Sequence, residues 1–394
     1  MNRLLPALAA ISVLAAACGG SSSSSKGPIK VGLIVSLTGN YAPLGSEDKK
    51  AVELAVEQVN AQGGLLGRKV QIVFRDDKTA PDQAVLAFND IKGQGLAAVI
   101  GPVFSNSGLA VEPLAQRQKI PYLSLAPASE QVNPIKPYVF VTPALSSMYA
   151  ERFLQYMQAQ KITKLAVAYD SKSGYAVAGH ASTTQLAAKY GVQIVRDDSF
   201  ETTSTDFSPI FTHVRSSAAQ AFLFWGTGAP GVIVAKQYAA SGLKVPLFLT
   251  ASQASKLWLG PVGAAAEGIT IESAIGVVGD YLPASPQKKV IDQMAIPYKQ
   301  KYGYAPPQFA QDGYSAALLL FQAIRNAKGT DHAKIQKALE SMKLVTPNGL
   351  FKYSATDHSG LNPTYISVNT VTGGTFVPTA WSKSQLTQTV AAEQ

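Results

Sequence analysis

The chain has 394 residues, a formal net charge of +9, and 46% hydrophobic against 15% charged residues. This length and composition predict a globular protein with room for two domains, and they exclude an intrinsically disordered chain. The lysines and arginines occur singly or in pairs without interleaved aromatic residues, which argues against a nucleic-acid partner.

The amino-terminal segment, residues 1–17, is predicted to be a signal peptide. Arg3 provides a positive charge, residues 4–17 are apolar but too few to span a bilayer, and small residues precede Cys18. Cys18 is the single cysteine and is followed by glycines and serines, an arrangement that resembles a bacterial lipobox. We therefore expect Cys18 to carry a lipid anchor and residues 18–27 to form a flexible tether. A plain secretory signal with an incidental cysteine is the alternative, and both interpretations place the protein outside the cytoplasm.

Strands and helices are predicted to alternate after this tether. Apolar runs predict strands at 29–35, 70–74, 97–100, 121–125 and 138–141. Apolar residues at helical spacing predict helices at 47–62, 81–92 and 108–117. This alternation is typical of a parallel sheet with helices on both faces.

A second series of the same kind begins near residue 144. Helices predicted at 148–160, 175–190, 207–216 and 231–241 alternate with strands at 165–169, 193–197, 221–225 and 246–249. The last third is predicted to hold helices at 286–302, 310–328 and 331–343, strands at 349–353 and 365–370, and a hairpin turn at Gly373 and Gly374. Asp331 is predicted to cap the third of these helices. The predicted fold class is therefore α/β, with two doubly wound parallel-sheet lobes and a cleft between them.

Residues 226–231 match the pattern G-x-G-x-x-G between a predicted strand and a predicted helix. The pattern occurs where a helix N-terminus binds a dinucleotide, so a nucleotide-dependent enzyme is an alternative of another class. No Asp or Glu lies between Gly231 and Ala266, so the acid that would bind a ribose is missing. The four histidines lack metal-ligand spacing and no serine lies in G-x-S-x-G, so we expect no metal, no cofactor and no catalysis.

Polar and aromatic residues lie instead at the carboxyl ends of the predicted strands, where ligands of parallel sheets bind. They are Thr38, Tyr41, Ser105, Asn106, Ser107, residues 126–129, Asp170, Tyr175, Thr227, Ser252 and Gln253. Ser105, Asn106 and Ser107 precede a predicted helix and are residue types that cap helices, whose N-termini attract anions. We expect a ligand carboxylate there, with an ordinary helix cap as the alternative.

Several stretches carry a family resemblance. They are IKVG at 29–32, LTG at 37–39, NAQGG at 60–64 with GR at 67–68, DD at 76–77, QA at 83–84, VIG at 99–101, SNS at 105–107, GLK at 242–244 and GY at 313–314. In these stretches the chain resembles the leucine/isoleucine/valine-type periplasmic binding proteins, the type I solute receptors of ABC transporters. The resemblance implies two lobes joined by three crossings, near residues 142–143, 273–276 and 347–349. The first lobe would comprise residues 28–143 plus 275–347, and the second 144–274 plus 348–394.

The resemblance also implies roles for the predicted binding residues. Ser107 would offer a hydroxyl to the ligand carboxylate, with Ser105 and Asn106 as nearby donors. Ala126, Ala128 and Ser129 would add carbonyl and hydroxyl contacts, and Tyr175 would be an aromatic residue from the second lobe. Tyr41, Thr227, Gly228, Ser252 and Gln253 complete the predicted ligand-binding set.

Two positions depart from the family pattern. Gly228 stands where amino-acid binders carry an aromatic residue, and Ser252 stands where they carry the acid that neutralises the α-ammonium of the ligand. Burying an ammonium without a carboxylate is costly. Either another acid takes this role, for which Asp170 is the nearest candidate, or the ligand has no ammonium group.

The resemblance therefore implies a monomeric, lipid-anchored receptor that presents a small carboxylate-bearing ligand to the permease subunits of an ABC importer. A branched-chain or other apolar amino acid is the expected ligand. Aromatic or aliphatic carboxylates without an α-amino group are the alternative ligand class. A ligand-sensing module for a signalling partner is the alternative role.

Overall fold

Two β-sheets form the framework of the protein in the computed structural model, which describes residues 27–393. The strands of the first sheet are β1 Ile29–Val35, β2 Val70–Asp76, β3 Leu96–Ile100, β4 Tyr122–Ser124 and β5 Val139–Val141. They are all parallel and lie in the order β2-β1-β3-β4-β5. The helices between these strands are α1 Ala42–Ala61, α2 Pro81–Ile91 and α3 Ser105–Gln118.

Both faces of the first sheet are covered by helices, which explains why its strands read as unbroken apolar runs. Val31 and Leu33 of β1 are buried in the core cluster to which α1 contributes. Ile34, on the opposite face of the same strand, packs in a cluster with Phe88 of α2 and Val111 of α3. The predicted doubly wound arrangement is confirmed for this sheet.

The second sheet begins after the chain leaves β5. Its helices are α4 Ser146–Ala159, α5 Gly174–Ala187, α6 Ser208–Ser216, α7 Ala229–Ser241 and α8 Lys256–Val262. Its first strands are β6 Lys164–Asp170, β7 Gln193–Phe200, β8 Ala221–Trp225, β9 Leu247–Leu249 and β10 Thr270–Ala274. Each of these strands pairs in parallel with its neighbours in the order β7-β6-β8-β9-β10.

The chain returns to the first sheet after β10. It forms α9 Pro286–Tyr302, α10 Gln308–Ala327, α11 His332–Glu340 and a two-stranded hairpin of β11 Lys343–Thr346 and β12 Gly349–Lys352. Helix α10 packs along α1, so these elements complete the first lobe. The second lobe is completed by β13 Ile366–Thr372, β14 Thr375–Pro378 and α12 Ala380–Ala391. The strands β13 and β14 add antiparallel to the edge of the second sheet at β10, which makes that sheet mixed.

The last crossing between the lobes lies later than the sequence predicted. The backbone N–H of Val141 in β5 donates to the carbonyl of His358 at 2.9 Å, and the hydroxyl of Tyr353 donates to the carbonyl of Val141 at 2.8 Å. The ring of His358 stacks on that of Phe140 at 4.1 Å. Residues 349–360 therefore lie against the first sheet, and the chain crosses after Gly360 rather than at 347–349.

Most differences from the predicted elements fall at helix starts and in the last third of the chain. Helix α1 begins five residues before the predicted 47–62, and β10, α8, β11, β14 and α12 were not predicted. Two local predictions are confirmed. The side chain of Asp331 accepts from the backbone N–H of Lys334 at 2.9 Å, and Gly373 and Gly374, both at positive φ, form the turn between β13 and β14. Within residues 27–393, no helix is long and apolar enough to cross a bilayer.

Candidate functional site

A cavity with about 390 Å³ of empty space lies between the two lobes. We call it the interlobe cavity. It is bounded by the segments that follow β1, β3 and β4 in the first lobe, by the segments that follow β6, β8 and β9 in the second, and by the first turns of α10. Its lining residues are Tyr41, Leu44, Val103, Ser105, Leu125, Pro127, Pro143, Tyr149, Tyr175, Thr227, Ala251, Ser252, Gln308, Phe309 and Asp312. Its position, at the carboxyl ends of the parallel strands of both lobes, is where parallel sheets bind ligands.

Five predicted binding residues line the interlobe cavity: Tyr41, Ser105, Tyr175, Thr227 and Ser252. The hydroxyls of Ser105, Tyr175 and Thr227 are buried, and none makes a hydrogen bond of good geometry within residues 27–393, although Thr227 lies near Tyr41 and Tyr175 lies near Thr250. A buried hydroxyl without a partner loses its hydrogen bonds to water without replacement. These three groups are therefore the natural contacts for polar atoms of a ligand.

The start of α3 differs from its prediction in a way that strengthens an anion site. Ser105, Asn106 and Ser107 form the first turn of the helix rather than its cap, because α3 begins at Ser105. The N-cap residue is Phe104, whose side chain cannot accept from the helix, and no side-chain cap hydrogen bond is formed there. The first N–H groups of a helix have no partner inside it. Together with the positive end of the helix dipole, they favour a carboxylate beside Ser105.

Ser107, to which the family resemblance assigns the hydroxyl contact, does not line the cavity. It lies two residues beyond Ser105 on α3, which places it on another face of the helix. Its hydroxyl faces the buried carboxyl of Asp77, and Asp77 also accepts from the hydroxyl of Ser36 at 2.6 Å. Burial raises the pKa of Asp77 against the effect of the hydrogen bond from Ser36. Ser105 is therefore the serine that meets the ligand space.

The loop after β4 meets the cavity through other residues than those predicted. Leu125 and Pro127 line the cavity, whereas Ala126, Ala128 and Ser129 do not. The carbonyls of Ala126 and Ala128 accept from the amide of Gln131, at 2.8 and 3.4 Å. The hydroxyl of Ser129 lies 3.5 Å from that of Ser147. The predicted contacts of Ala126, Ala128 and Ser129 with a ligand therefore stay predictions, and Leu125 and Pro127 are the residues of this loop at the cavity.

Asn106 connects the two lobes instead of contacting the cavity. Its side-chain amide donates to the carbonyl of Lys172 at 3.1 Å, and its carbonyl oxygen accepts from the backbone N–H of Gly174 at 2.8 Å. Lys172 and Gly174 lie between β6 and α5 in the second lobe. The lobes are therefore held in a closed arrangement by contacts that lie outside the ligand space.

Gly228 belongs to a second contact between the lobes. The backbone N–H of Ala229 donates to the side-chain oxygen of Asn40, in the first lobe, at 3.1 Å. A Cβ on Gly228 would lie 2.4 Å from that same oxygen, and Gly228 has a φ of +70°. Glycine is therefore required here by both the backbone conformation and the close approach of the lobes.

The glycine pattern at 226–231 accommodates side chains of the protein itself. The amide of Gln253 donates to the carbonyl of Gly226 at 2.7 Å, and a Cβ on Gly231 would lie 2.4 Å from the same amide nitrogen. The indole of Trp258 donates to the carbonyl of Gly231 at 2.9 Å. Gln253 thus fills the space that a bound phosphate would need, which argues against a nucleotide site.

The second-lobe loop that holds Ser252 brings no acid to the cavity. The hydroxyl of Ser252 donates to the carbonyl of Gly226 at 3.0 Å. Asp170, the acid that the sequence suggested as a substitute, does not line the interlobe cavity. Its carboxylate accepts from the backbone N–H of Lys172 at 2.9 Å and from the hydroxyl of Thr202 at 2.5 Å. Its role is to hold the turn after β6.

Sequence reasoning missed the contribution of α10, which brings Gln308, Phe309 and Asp312 to the cavity. Asp312 is buried, and its carboxylate accepts from the side-chain amides of Asn348 at 2.8 Å and Gln308 at 3.1 Å. Burial raises its pKa to about 7. One signal could have revealed it, because Asp312 is the single charged residue in the mostly apolar stretch 309–324.

The electrostatic environment of the first-lobe wall is acidic. Glu47 and Asp48 of α1 are buried near Asp312, and burial raises the pKa of Glu47 to about 8 and that of Asp48 well above its ordinary value. The hydroxyl of Ser255 in the second lobe donates to the carboxyl of Glu47 at 2.6 Å. Among the described residues, no Lys, Arg or His side chain lines the interlobe cavity.

Comparisons with known proteins agree with this architecture. A family model described as "Periplasmic binding protein" matches residues 28–374. A relative from Brucella melitensis biotype 1, "Leu/Ile/Val-binding protein homolog 3", is 29% identical over 350 residues, which cover 88% of this chain and 92% of the relative. The chain therefore belongs to the periplasmic binding protein family, as its sequence resemblance indicated. It is a receptor of the Leu/Ile/Val-binding type rather than an enzyme.

Solved structures share the fold with different bound ligands. A branched-chain amino acid transporter substrate binding protein from Streptococcus pneumoniae, in complex with isoleucine, is similar with a TM-score of 0.78 and 22% identity, covering 89% of this chain and 97% of that one. A solute binding protein of an ABC transporter from R. palustris, in complex with benzoate, has a TM-score of 0.78 and 21% identity, covering 89% and 95%. At these identities the likeness concerns the fold alone.

Proposed function

We propose that the protein is an extracytoplasmic receptor that closes on a small carboxylate-bearing ligand and presents it to the permease subunits of an ABC importer. The observation that carries this proposal is the buried, unpartnered hydroxyl of Ser105 at the start of α3, beside backbone N–H groups that no side chain caps. Neutral donors at the positive end of a helix stabilise a carboxylate without a buried cation. The family of the chain supports the receptor role.

The remainder of the cavity suits a compact apolar group. Leu44, Val103, Leu125, Pro127 and Phe309 are apolar residues of its wall. Burying an apolar side chain there contributes about 25 cal/mol for each Å² removed from water. A branched-chain or other apolar amino acid meets both requirements, with its carboxylate at Ser105 and its side chain against this wall.

Contacts from both lobes connect binding to closure. Ser105 belongs to the first lobe, whereas Tyr175 and Thr227 belong to the second. A ligand that contacts all three stabilises the closed arrangement over an open one. We further propose that the receptor acts as a monomer and is tethered to the membrane through a lipid on Cys18 after removal of residues 1–17. These amino-terminal predictions lie outside the described residues 27–393.

The test is isothermal titration calorimetry with L-leucine, L-isoleucine, L-valine and L-phenylalanine. Ser105→Ala should weaken binding of the preferred ligand about tenfold or more, because one charge-assisted hydrogen bond contributes roughly 1.5–3 kcal/mol. Ser107→Ala is the matched control, since it removes the same hydroxyl from the same helix outside the cavity. Equal loss in the two variants, or no loss in either, would contradict the site.

A further inference from the structure

Asp312 is an acidic group in the wall of an otherwise uncharged cavity. It lies in the second turn of α10, is 2% exposed, and lines the interlobe cavity. The part of α10 around it packs against α1 and supplies core residues. A carboxylate at such a position is costly unless a partner compensates its charge.

The hydrogen-bond partners of Asp312 orient its carboxylate but do not neutralise it. Both are amides: Gln308 lies 3.1 and 3.2 Å from its two oxygens, and Asn348 lies 2.8 Å from Oδ1. Gln308 is itself held by the backbone N–H of Ala274, which donates to its side-chain oxygen at 2.6 Å. The carboxylate is thus fixed in place while part of its acceptor capacity stays unused, because two oxygens offer about four acceptor sites.

The ionisable groups that interact with Asp312 supply no positive charge. Asp48 of α1 is buried, and neither of its side-chain oxygens has a hydrogen-bond partner within residues 27–393. Burial and the charge of Asp312 raise the pKa of Asp48 well above its ordinary value, so Asp48 is protonated and does not compensate the charge of Asp312. Tyr149 of α4 and Tyr175 of α5 interact with Asp312 and are neutral, as tyrosines are at neutral pH, and burial raises their pKa further. A ligand cation is therefore the missing compensation.

We propose that Asp312 binds the ammonium group of the ligand, so that the receptor selects carboxylates that also carry a primary amine. This inference rests on the proposed function and deepens it, since it decides between the amino-acid and the deaminated ligand classes. The second-lobe position at which amino-acid binders of the family carry an acid is occupied by Ser252. In this chain the acid comes from the first lobe instead.

The position of the acid in the first lobe affects the order in which the ligand is bound. Ser105 and Asp312 both belong to the first lobe, so both charged ends of a zwitterionic ligand are met before the second lobe closes. The second lobe then adds the hydroxyls of Tyr175 and Thr227. The first lobe defines which ligand is accepted, and closure adds affinity to a ligand that is already oriented.

The experiment compares each amino acid with its deaminated acid in calorimetric titrations of the wild-type protein. The pairs are L-leucine with 4-methylpentanoate, L-isoleucine with 3-methylpentanoate, L-valine with 3-methylbutanoate, and L-phenylalanine with 3-phenylpropanoate. The preferred amino acid should bind about tenfold to a hundredfold more tightly than its deaminated partner. The 2-hydroxy acid of the same carbon skeleton should bind with an affinity similar to that of the deaminated acid, because its hydroxyl can donate a hydrogen bond but carries no positive charge.

Two variants assign this discrimination to its residue. Asp312→Asn should weaken binding of the amino acid and leave binding of the deaminated acid nearly unchanged, so the preference for the amino acid is lost. Ser105→Ala should weaken both members of the pair to a similar degree and keep the preference. Thermal melting without ligand establishes that each variant is folded, and the wild-type pairs test the proposal even if Asp312→Asn does not fold.

The outcomes separate the inference from the function on which it rests. If a deaminated or hydroxy acid binds wild type as tightly as its amino acid, the role of Asp312 is refuted while the carboxylate receptor stands. If Asp312→Asn keeps the full preference for the amine, the role of Asp312 is refuted as well. If no carboxylate in the set binds, the proposed function fails.

Discussion

The two hydrogen bonds of Asn106 predict that a residue outside the ligand cavity controls ligand affinity. Asn106→Ala removes the donor to the carbonyl of Lys172 and the acceptor of the Gly174 N–H, and both of these partners lie in the second lobe. The variant leaves Ser105 and the rest of the cavity wall in place. It therefore destabilises the closed arrangement of the lobes without removing a ligand contact.

The size of the effect follows from the number and exposure of these bonds. Each hydrogen bond contributes about 0.5–1.5 kcal/mol, and this half-buried pair belongs toward the lower end, at about 1–2 kcal/mol in total. A ligand that binds the closed form has its apparent affinity reduced by the fraction of closed form that is lost. Because 1.4 kcal/mol corresponds to a factor of ten, we expect the dissociation constant to rise about fivefold to thirtyfold.

The assay combines calorimetry with small-angle X-ray scattering. Asn89→Ala is the matched control, since Asn89 is an exposed residue of α2 whose side chain accepts only from Lys92, at 2.7 Å, within the first lobe. The control should bind ligand like wild type. Scattering detects the case in which the free receptor is already partly closed, because Asn106→Ala would then increase its radius of gyration. A variant that changes neither the dissociation constant beyond twofold nor the radius of gyration would refute this reasoning.

Two further predictions concern a buried acid and the amino terminus. Burial raises the pKa of Glu47 to about 8, compared with 4.5 in the unfolded chain, so the folded protein holds a proton that the unfolded chain releases at lower pH. The contribution of this proton to the free energy of unfolding is complete below the unfolded pKa and is lost as the pH rises through about 8. Glu47→Gln should therefore flatten the fall in unfolding free energy between about pH 5 and about pH 8 in urea titrations, and an unchanged slope would contradict it. Cys18→Ser should release the protein from the membrane fraction of expressing cells into the soluble extract, whereas retention equal to wild type would exclude the lipid anchor.

Most of the cavity-lining residues that the sequence predicted share one property. Tyr41, Ser105, Tyr175 and Thr227 follow parallel strands directly, so a general rule about sheet edges predicts their position. The rule places a loop at the site but does not say which of its residues faces the ligand. Ser107 was therefore predicted as the carboxylate contact, although the turn of α3 directs it toward Asp77.

This rule does not predict Asp312, the acid that lines the interlobe cavity. Asp312 is on a helix that begins with Gln308, far along the chain from the strands it meets, and no local pattern connects it to Ser105. Asp170 was considered because it follows a strand, yet its carboxylate is occupied by Lys172 and Thr202. The hydrogen bonds of Asp170 could be recognised only in the folded structure, where Thr202 lies beside it.

The sequence by itself determined the α/β class, the two series of strands and helices, the family, and most of the loops that surround the interlobe cavity, because periodicity and turn residues act within single segments. Tertiary structure alone decided the later crossing after Gly360, the selection of Ser105 over Ser107, the closing contacts of Asn40 and Asn106, and the arrival of Asp312 at the cavity. These features depend on packing between segments that lie far apart in the chain. Burial and charge compensation among such segments are properties of the assembled fold.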